Sequence, residues 1–189
     1  MHRAFPIEQR LKTQACDSSR ETCLAVLSRW MQTAAAPAGF DTEALDELLA
    51  LDAIYLTEDE QAIGAAPLCP IETDIEISFP HETLHALSAL DALALPRLPG
   101  TAGVIETPCP VSGQPISLRV DAEGRLLTED IHKAVVVFVK TSEHIQRHSL
   151  DLAPGIRFIH PTASQRSFYP DARHGRGHGS SARFLCISA

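Results

Sequence analysis

Residues 106–120 read ETPCPVSGQPISLRV, and this stretch decides the fold prediction for the chain. From Pro115 to Val120 apolar and polar side chains alternate, which predicts a β-strand with one buried face. Before the strand, Cys109 stands between two prolines and precedes a Ser-Gly pair, a composition typical of a tight turn. The prolines stiffen the backbone and remove amide donors on both sides of the thiol. A thiol held still in this way is typical of a reactive or metal-binding site.

The sequence on either side of this stretch predicts a mixed sheet with packed helices. Apolar runs predict further strands near residues 102–106, 134–139 and 156–160. Segment 81–96, HETLHALSALDALALP, is rich in Ala and Leu and predicts a helix over residues 81–95 that Pro96 ends. The side chains expected to face inward from this helix are Leu84, Leu87, Leu90 and Leu93.

The N-terminal third predicts two helices and a short ribbon. Ser18 and Glu21 fit a capping box, and the apolar residues that follow at helical spacing predict a helix to about residue 35. Asp41 caps a second predicted helix, and residues 54–67 predict two short strands joined by an acidic turn. This order is that of a winged-helix unit. The second helix, DTEALDELLALD, is acidic, so we interpret the unit as structural and not as a DNA reader.

The predicted fold class is therefore α+β, with three parts. Residues 1–66 form the helical, winged-helix-like unit. Residues 67–165 form a core built on a mixed β-sheet with packed helices; it is entered through a linker and strand at 67–80, and residues 141–155 form a helix or a loop within it. Residues 166–189 are rich in Gly, His and Arg and are expected to be a mobile tail.

Composition narrows the class of protein. Of the 189 residues, 44% are hydrophobic and 21% are charged, which is ordinary for a soluble globular protein. No apolar run reaches the roughly 20 residues of a membrane span, so no membrane partner is expected. The N-terminus lacks the apolar core of a signal peptide, which predicts a cytoplasmic protein. The net charge of −8, with no basic stripe to offset it, argues against nucleic-acid binding.

Residues 81–85, HETLH, match the H-E-x-x-H pattern of zinc hydrolases, in which two histidines share one helix face. The glycine and the methionine turn of the longer zinc motif do not follow, and Pro80 places His81 in the first helical turn. We therefore predict no zinc site at His81, Glu82 and His85. The five cysteines contain no C-x-x-C pair, which argues against a zinc ribbon or a thioredoxin-type site.

Three blocks of the sequence resemble the organomercurial (alkylmercury) lyase family. They are residues 86–100, ALSALDALALPRLPG; residues 103–120, GVIETPCPVSGQPISLRV; and residues 155–164, GIRFIHPTAS. In the second block of the family a catalytic cysteine precedes a Thr/Ser-Gly-x-Pro turn, which Cys109 and the turn after it match. The resemblance covers about residues 40–165 and implies the α+β fold of that family.

The resemblance implies that Cys109 and Ser112 are the catalytic residues. In the family two cysteine thiolates bind the mercury of an organomercurial, and a proton delivered to carbon releases the hydrocarbon. The mercuric ion then leaves to cellular thiols, and no cofactor is required. The family places an acidic residue three positions after the first cysteine. Here that residue is Ser112, a poor proton donor that can still orient a ligand.

The family's second cysteine is missing from its usual place. Ala153 or Pro154 occupies that position, and neither side chain binds a metal. Cys186 or Cys69 would replace it only by folding back toward the turn.

Three functions are compatible with these residues. The first is cleavage of carbon–mercury bonds at Cys109. The second is a non-catalytic module on the same fold that holds mercury, copper or another soft ion through Cys109 with His160 or Cys186. The histidines of the tail, His174 and His178, would suit ion capture in that case. The third is a repurposed enzyme that uses Cys109 on a small organic substrate.

The surroundings of Cys109 discriminate among these functions. A second thiol within roughly 4–5 Å favours the lyase, because one metal ion is then in reach of both sulfurs. His160 alone beside the thiol favours binding, and an isolated thiol in an apolar cleft favours the repurposed enzyme. In every case we expect the thiol to be partly exposed. The turn amides from Val111 to Gln114 are predicted to point at the sulfur and lower its pKa.

Overall fold

The computed structural model describes residues 7–33, 39–56, 63–138, 153–161 and 186–187. Its N-terminal part contains α1 (Ile7–Gln14), α2 (Asp17–Thr33), α3 (Thr42–Ala50), β1 (Ile54–Leu56) and β2 (Ile63–Ala65). The rest contains β3 (Glu76–Ser78), β4 (Thr83–His85), α4 (Ala89–Ala94), β5 (Gly103–Pro108), β6 (Pro115–Val120), β7 (Val135–Phe138), β8 (Ile156–Ile159) and β9 (Cys186–Ile187). Helices and antiparallel sheets occur together, so the predicted α+β class is confirmed. Among the described helices none is long and apolar enough to cross a membrane.

The N-terminal part has the predicted order of helix, helix and ribbon, preceded by α1, which the sequence analysis missed. Helix α2 packs against α3 and the ribbon, and Asp41 is the N-cap of α3 as predicted. Helix α2 begins at Asp17, one residue before the predicted cap Ser18. The apolar residues that α2 and α3 bury are Cys23, Val26, Trp30, Ala44 and Leu48.

The central sheet has four antiparallel strands in the order β4-β3-β5-β6. Ile77 pairs with Ile105, which in turn pairs with Leu118, so one face of the sheet carries a row of fully buried aliphatic side chains. Burial alternates along β6 as the sequence predicted, and the strand bounds Pro115–Val120 are confirmed. This sheet carries Cys109, which directly follows β5.

Segment 81–95 is not the continuous helix that the sequence predicts. Residues Thr83–His85 form β4, paired with β3, and the helix is confined to Ala89–Ala94. Leu84 is buried from a strand rather than from a helix face. Pairing with β3 satisfies the backbone hydrogen-bonding groups of this part of the segment. It is therefore a strand, although the leucines of the segment recur at the three-residue spacing of a helix. The leucines of the shorter helix, Leu90 and Leu93, are partly buried against the core.

A second sheet has three strands in the order β8-β7-β9, and β7 and β8 confirm the predicted strands near 134–139 and 156–160. Its third strand, Cys186–Ile187, pairs with Val137 and Val136. These two residues of the predicted mobile tail form a strand, and the mobility of the tail stays a prediction. The rest of that tail, with His174 and His178, lies outside the described residues, as do residues 141–152 of the predicted helix or loop.

The segment between the two sheets is pinned by a buried carboxylate. Asp130 is fully buried and accepts hydrogen bonds from the amide and Nε of Arg119, both at 2.8 Å. Lys133 Nζ lies 2.6 Å from the same carboxylate. These contacts hold the pKa of Asp130 well below its ordinary value, with the Arg119 side-chain bond as the largest cause.

Candidate functional site

Cys109 lies at the end of β5 on the buried face of the central sheet. Burial alternates along the strand, so Ile105, Thr107 and Cys109 point inward while Glu106 and Pro108 are exposed. The residue is only 1% exposed. The expectation of a partly exposed thiol is therefore wrong. The alternation of inward and outward side chains along β5 continues for one residue beyond the strand, and this places Cys109 on the buried face.

The turn after Cys109 is closed by two backbone hydrogen bonds. The Cys109 amide donates to the carbonyl of Gln114, and the Gly113 amide donates to the carbonyl of Cys109, each at 2.8 Å. Gly113 has a φ of +69°, which favours glycine over residues with a Cβ. All residues from 110 to 115 are exposed. The sulfur thus lies directly beneath an ordered surface turn.

The sulfur of Cys109 is surrounded by hydrogen-bond donors. Burial alone raises the pKa of this thiol and is the largest single influence. The hydroxyl of Ser112 and the amides of His160, Ser112 and Val111 act in the opposite direction and together lower the pKa below its ordinary value of 9.0. The prediction that turn amides stabilise the thiolate agrees with this arrangement. Since Pro108 and Pro110 carry no amide hydrogen, the turn's donors come from farther along the chain.

His160 reaches the site through its backbone. Its amide nitrogen lies 3.4 Å from the sulfur of Cys109 and donates to it. This residue directly follows β8, so the contact joins the three-stranded sheet to the central sheet. Sequence analysis placed His160 at the site for its imidazole; the structure places its amide there.

The other cysteines expected at the site do not come near Cys109. Cys186 lies on β9 and pairs with Val137 on β7, which separates β9 from β8. At ordinary strand spacings the backbone of Cys186 is therefore roughly 14 Å from that of His160, which follows β8. Cys69 pairs with His85 at the far edge of the central sheet. Three strand spacings and three residues separate it from Cys109, which corresponds to roughly 17 Å between backbones.

The position of the family's second cysteine is also described. Ala153 is fully buried and Pro154 is exposed, in the short 3-10 turn Ala153–Gly155 that leads into β8. Within the described ranges, no group of three or more His, Cys, Asp or Glu side chains is arranged to hold a metal ion. The described residues therefore offer Cys109 as a single protein thiolate.

The histidines of HETLH do not share a helix face, because the segment is a turn followed by β4. His81 is exposed, and Nδ1 of His85 accepts the amide of Thr73 at 3.2 Å. The helical premise of the zinc motif is thus wrong. The absence of a zinc site at these residues stays a prediction.

A second polar cluster, which sequence analysis missed, surrounds Cys69. The Tyr55 hydroxyl contacts this thiol and donates to the carbonyl of Leu68 at 2.5 Å. Burial raises the pKa of Cys69 despite bonds from the Ile71 amide and Tyr55. Burial also raises the pKa of nearby Asp91 to about 6, against a bond from Ser88.

The sequence carried one signal for this cluster. Ser88 and Asp91 stand at the spacing of a helix-capping pair. In the structure Ser88 is the N-cap of α4: its hydroxyl accepts the Asp91 amide at 3.0 Å and donates to the Asp91 carboxylate at 2.6 Å. Recognising that pair would have placed both the true helix start and the buried carboxylate.

An open groove of about 440 Å³ lies beside the cysteine turn but on the other face of the central sheet. Glu106 and Pro108 line it from β5, whereas Cys109 points to the buried side. The remaining side chains on this outer face are Asp74, Glu76, Pro115 and Ser117. The groove is therefore separate from the sulfur.

Comparison with known proteins shows which proteins this chain resembles. The sequence profile of the alkylmercury lyase family, MerB, matches residues 69–153. A crystal structure described as the mercury-bound form of MerB2 superposes with a TM-score of 0.64 at 18% sequence identity, over 95% of this chain and 89% of that chain. No curated protein matches the sequence. The predicted resemblance is confirmed, and with it the α+β fold of MerB proteins.

Proposed function

We propose, on the premise that residues 69–153 form a domain of the alkylmercury lyase family, that this protein binds organomercurials at Cys109 and cleaves their carbon–mercury bond. The family as a whole consists of carbon–mercury lyases that need no cofactor and take mercury as substrate and product. The observation that carries the proposal is the buried Cys109 sulfur, which accepts the His160 amide at 3.4 Å and lies beside turn donors that lower its pKa. Thiolates are the preferred ligands of soft metal ions.

The proposed reaction balances with one protein thiolate and one cellular thiol. The Cys109 thiolate first binds the mercury of R–Hg–X and displaces X⁻. A cellular thiol then adds its sulfur to mercury and gives up its proton. The electron pair of the carbon–mercury bond takes that proton, R–H leaves, and Hg(II) remains between the two sulfurs until further thiol removes it. The external thiol thus replaces the second cysteine that Ala153 or Pro154 does not supply.

Ser112 has a positioning role in this proposal. Its hydroxyl helps to lower the pKa of Cys109, and a hydroxyl both donates and accepts hydrogen bonds. It can therefore hold the incoming thiol beside the mercury. Its own pKa is too high for it to be the source of the proton.

The test is anaerobic incubation with phenylmercury acetate and excess thiol, with released benzene measured by gas chromatography. We expect benzene in proportion to enzyme and time from the wild type and from Cys69→Ser, and none above background from Cys109→Ser. Stoichiometric mercury binding without benzene from the wild type would contradict the lyase proposal.

Replacing Ser112 by aspartate separates cleavage from binding. An acid three residues after the cysteine restores the family pattern and supplies a proton donor next to the mercury. If the site cleaves the bond, Ser112→Asp should raise the rate of benzene release. If the site only binds, the same variant should change affinity and release no benzene.

Non-catalytic mercury binding is the second candidate, because the described residues place one thiol at the site and hold no group of three metal-binding side chains. The comparisons concern mercury and give no support to copper. The third candidate, a repurposed enzyme, needs an apolar cleft, whereas four donors surround this sulfur. The proposed partners are organomercurials and cellular thiols, and the cytoplasm is the proposed location.

A further inference from the structure

The hydrogen bond from His160 to Cys109 crosses between two sheets. Cys109 belongs to the central sheet through β5, and His160 belongs to the three-stranded sheet through β8. At 3.4 Å the donor is within range of a sulfur acceptor, and a small displacement of β8 would break the contact. Something must therefore fix β8 against the central sheet.

An ion pair makes a further contact between β8 and the segment that leads into the central sheet. Arg157, on β8, lies with its Nη2 2.5 Å from the carboxylate of Asp74. Asp74 precedes β3, which pairs with β5; extending their register sets Asp74 level with Pro108, next to Cys109. The Arg157 side chain is 25% exposed and that of Asp74 is 56% exposed, so water shields the guanidinium end less than the carboxylate end.

We propose that Arg157 and Asp74 are positioning residues for Cys109: their ion pair fixes β8 so that the His160 amide stays bonded to the sulfur. The inference rests on the proposed function only for the role of the Cys109 thiolate in mercury binding. The hydrogen bond and the ion pair themselves are present without mercury. Ile156, Phe158 and Ile159 bury β8 against the core, and this apolar packing is not directional. The ion pair adds direction, because guanidinium and carboxylate meet in a restricted geometry.

Amide hydrogen exchange at His160, followed by NMR without mercury, reads this contact directly. In Arg157→Gln and in Asp74→Asn we expect exchange at His160 to accelerate about tenfold or more, as for loss of a hydrogen bond to a charged group. The double variant should accelerate no further than either single one, because both remove the same ion pair. Arg157→Lys, which keeps the charge, should restore part of the protection.

Two controls separate a local change from general loosening. The Cys109 amide is bonded to Gln114 within the turn, so its exchange should be unchanged in all four variants. Arg125→Gln removes an ion pair with Asp121 on a different loop and should leave His160 as in the wild type. Acceleration at both amides would mean a destabilised domain and would overturn the positioning role.

The direction of the change in exchange rate at His160 in the two single variants distinguishes the proposal from a simple charge effect. Exchange is catalysed by hydroxide, so loss of the Arg157 cation would slow exchange at His160, and loss of the Asp74 anion would speed it. The proposal requires acceleration in both variants. Opposite signs, or no change in either, would overturn it. Benzene release is a separate measurement, so failure of the lyase proposal and failure of this one are distinguishable.

Discussion

Two Cys-Pro dipeptides in this chain have opposite chemistry. Cys69 and Cys109 are both buried, at 5% and 1% exposure, and a proline follows each. Burial raises the pKa of Cys69, whereas the pKa of Cys109 is lowered although burial opposes this. Two causes make the difference: Cys109 lies directly beneath an exposed turn whereas Cys69 is more deeply enclosed, and Cys109 has more donors. Four reach Cys109, while Cys69 has the Ile71 amide and Tyr55, with Asp91 acting against ionisation. The exposed fraction of the side chain therefore does not by itself decide which thiol ionises more readily.

The comparison is tested most strongly by removing each sulfur in turn. Cys109→Ser should lose tight mercury binding completely, because a hydroxyl is a poor ligand for a soft ion. Cys69→Ser should bind one mercury as the wild type does, since a neutral buried thiol is not a ready ligand. Isothermal titration with phenylmercury in the presence of competing thiol measures both. Unchanged binding in Cys109→Ser would remove the site assignment.

The cluster around Cys69 should have its own pH dependence. The pKa of Asp91 is about 6 in the folded protein against an ordinary value of 3.8, so its ionisation destabilises the fold as pH rises between these values. Between about pH 4 and pH 7 the wild type should lose roughly 3 kcal/mol of stability relative to Asp91→Asn. Urea unfolding at several pH values measures this difference, and parallel curves for the two proteins would contradict it.

Alanine variants of two glycines, one near Cys69 and one in the turn after Cys109, should differ in how much they lower the free energy of unfolding. A Cβ on Gly64 would lie 2.6 Å from Pro70 Cδ and overlap the Tyr55 ring, so Gly64→Ala should cost about 1–3 kcal/mol and displace Tyr55 from Cys69. A Cβ on Gly113 meets nothing within 4 Å, and its φ of +69° costs only about 1 kcal/mol in Gly113→Ala. Thermal unfolding compares them. A larger loss in Gly113→Ala would reverse the expected order.

The smallest effect on mercury affinity is expected from removing one of the four donors near the Cys109 sulfur. Ser112→Ala removes the hydroxyl from the Cys109 sulfur and should weaken mercury binding about fivefold, the loss of one ordinary hydrogen bond. Ser117→Ala is the matched control, because Ser117 faces the groove on the other side of the sheet. Competition titrations against a reference thiol resolve such a factor, and equal affinities in the two variants would show that the amides suffice.

The cysteine turn was readable from sequence because its signals are local. Alternation along Pro115–Val120 and the Ser-Gly turn specify the strand and the loop within a dozen residues. The turn amides at the sulfur followed from the same short segment. The resemblance of this block to a family extended that reading to the whole fold.

What sequence analysis got wrong depends on contacts between distant segments. Residues 81–95 have leucines at helical spacing, but part of this segment pairs with β3. Strand pairing, and not the leucine spacing, determines its conformation. The burial of Cys109 follows from the register of β5 in the sheet, not from its flanking prolines. The His160 amide reaches the sulfur across 51 positions of the chain, which no local pattern predicts.

The central claim is that Cys109, and not Cys69, is the thiolate, because donors reach its sulfur and it lies just beneath a surface turn. Labelling with iodoacetamide from pH 5 to 11, with mass spectrometry of the two cysteine peptides from the same sample, tests it most directly. The midpoint for Cys109 should lie below the ordinary thiol pKa of 9.0 and that for Cys69 above it. A Cys109 midpoint equal to or higher than that of Cys69 would contradict the claim.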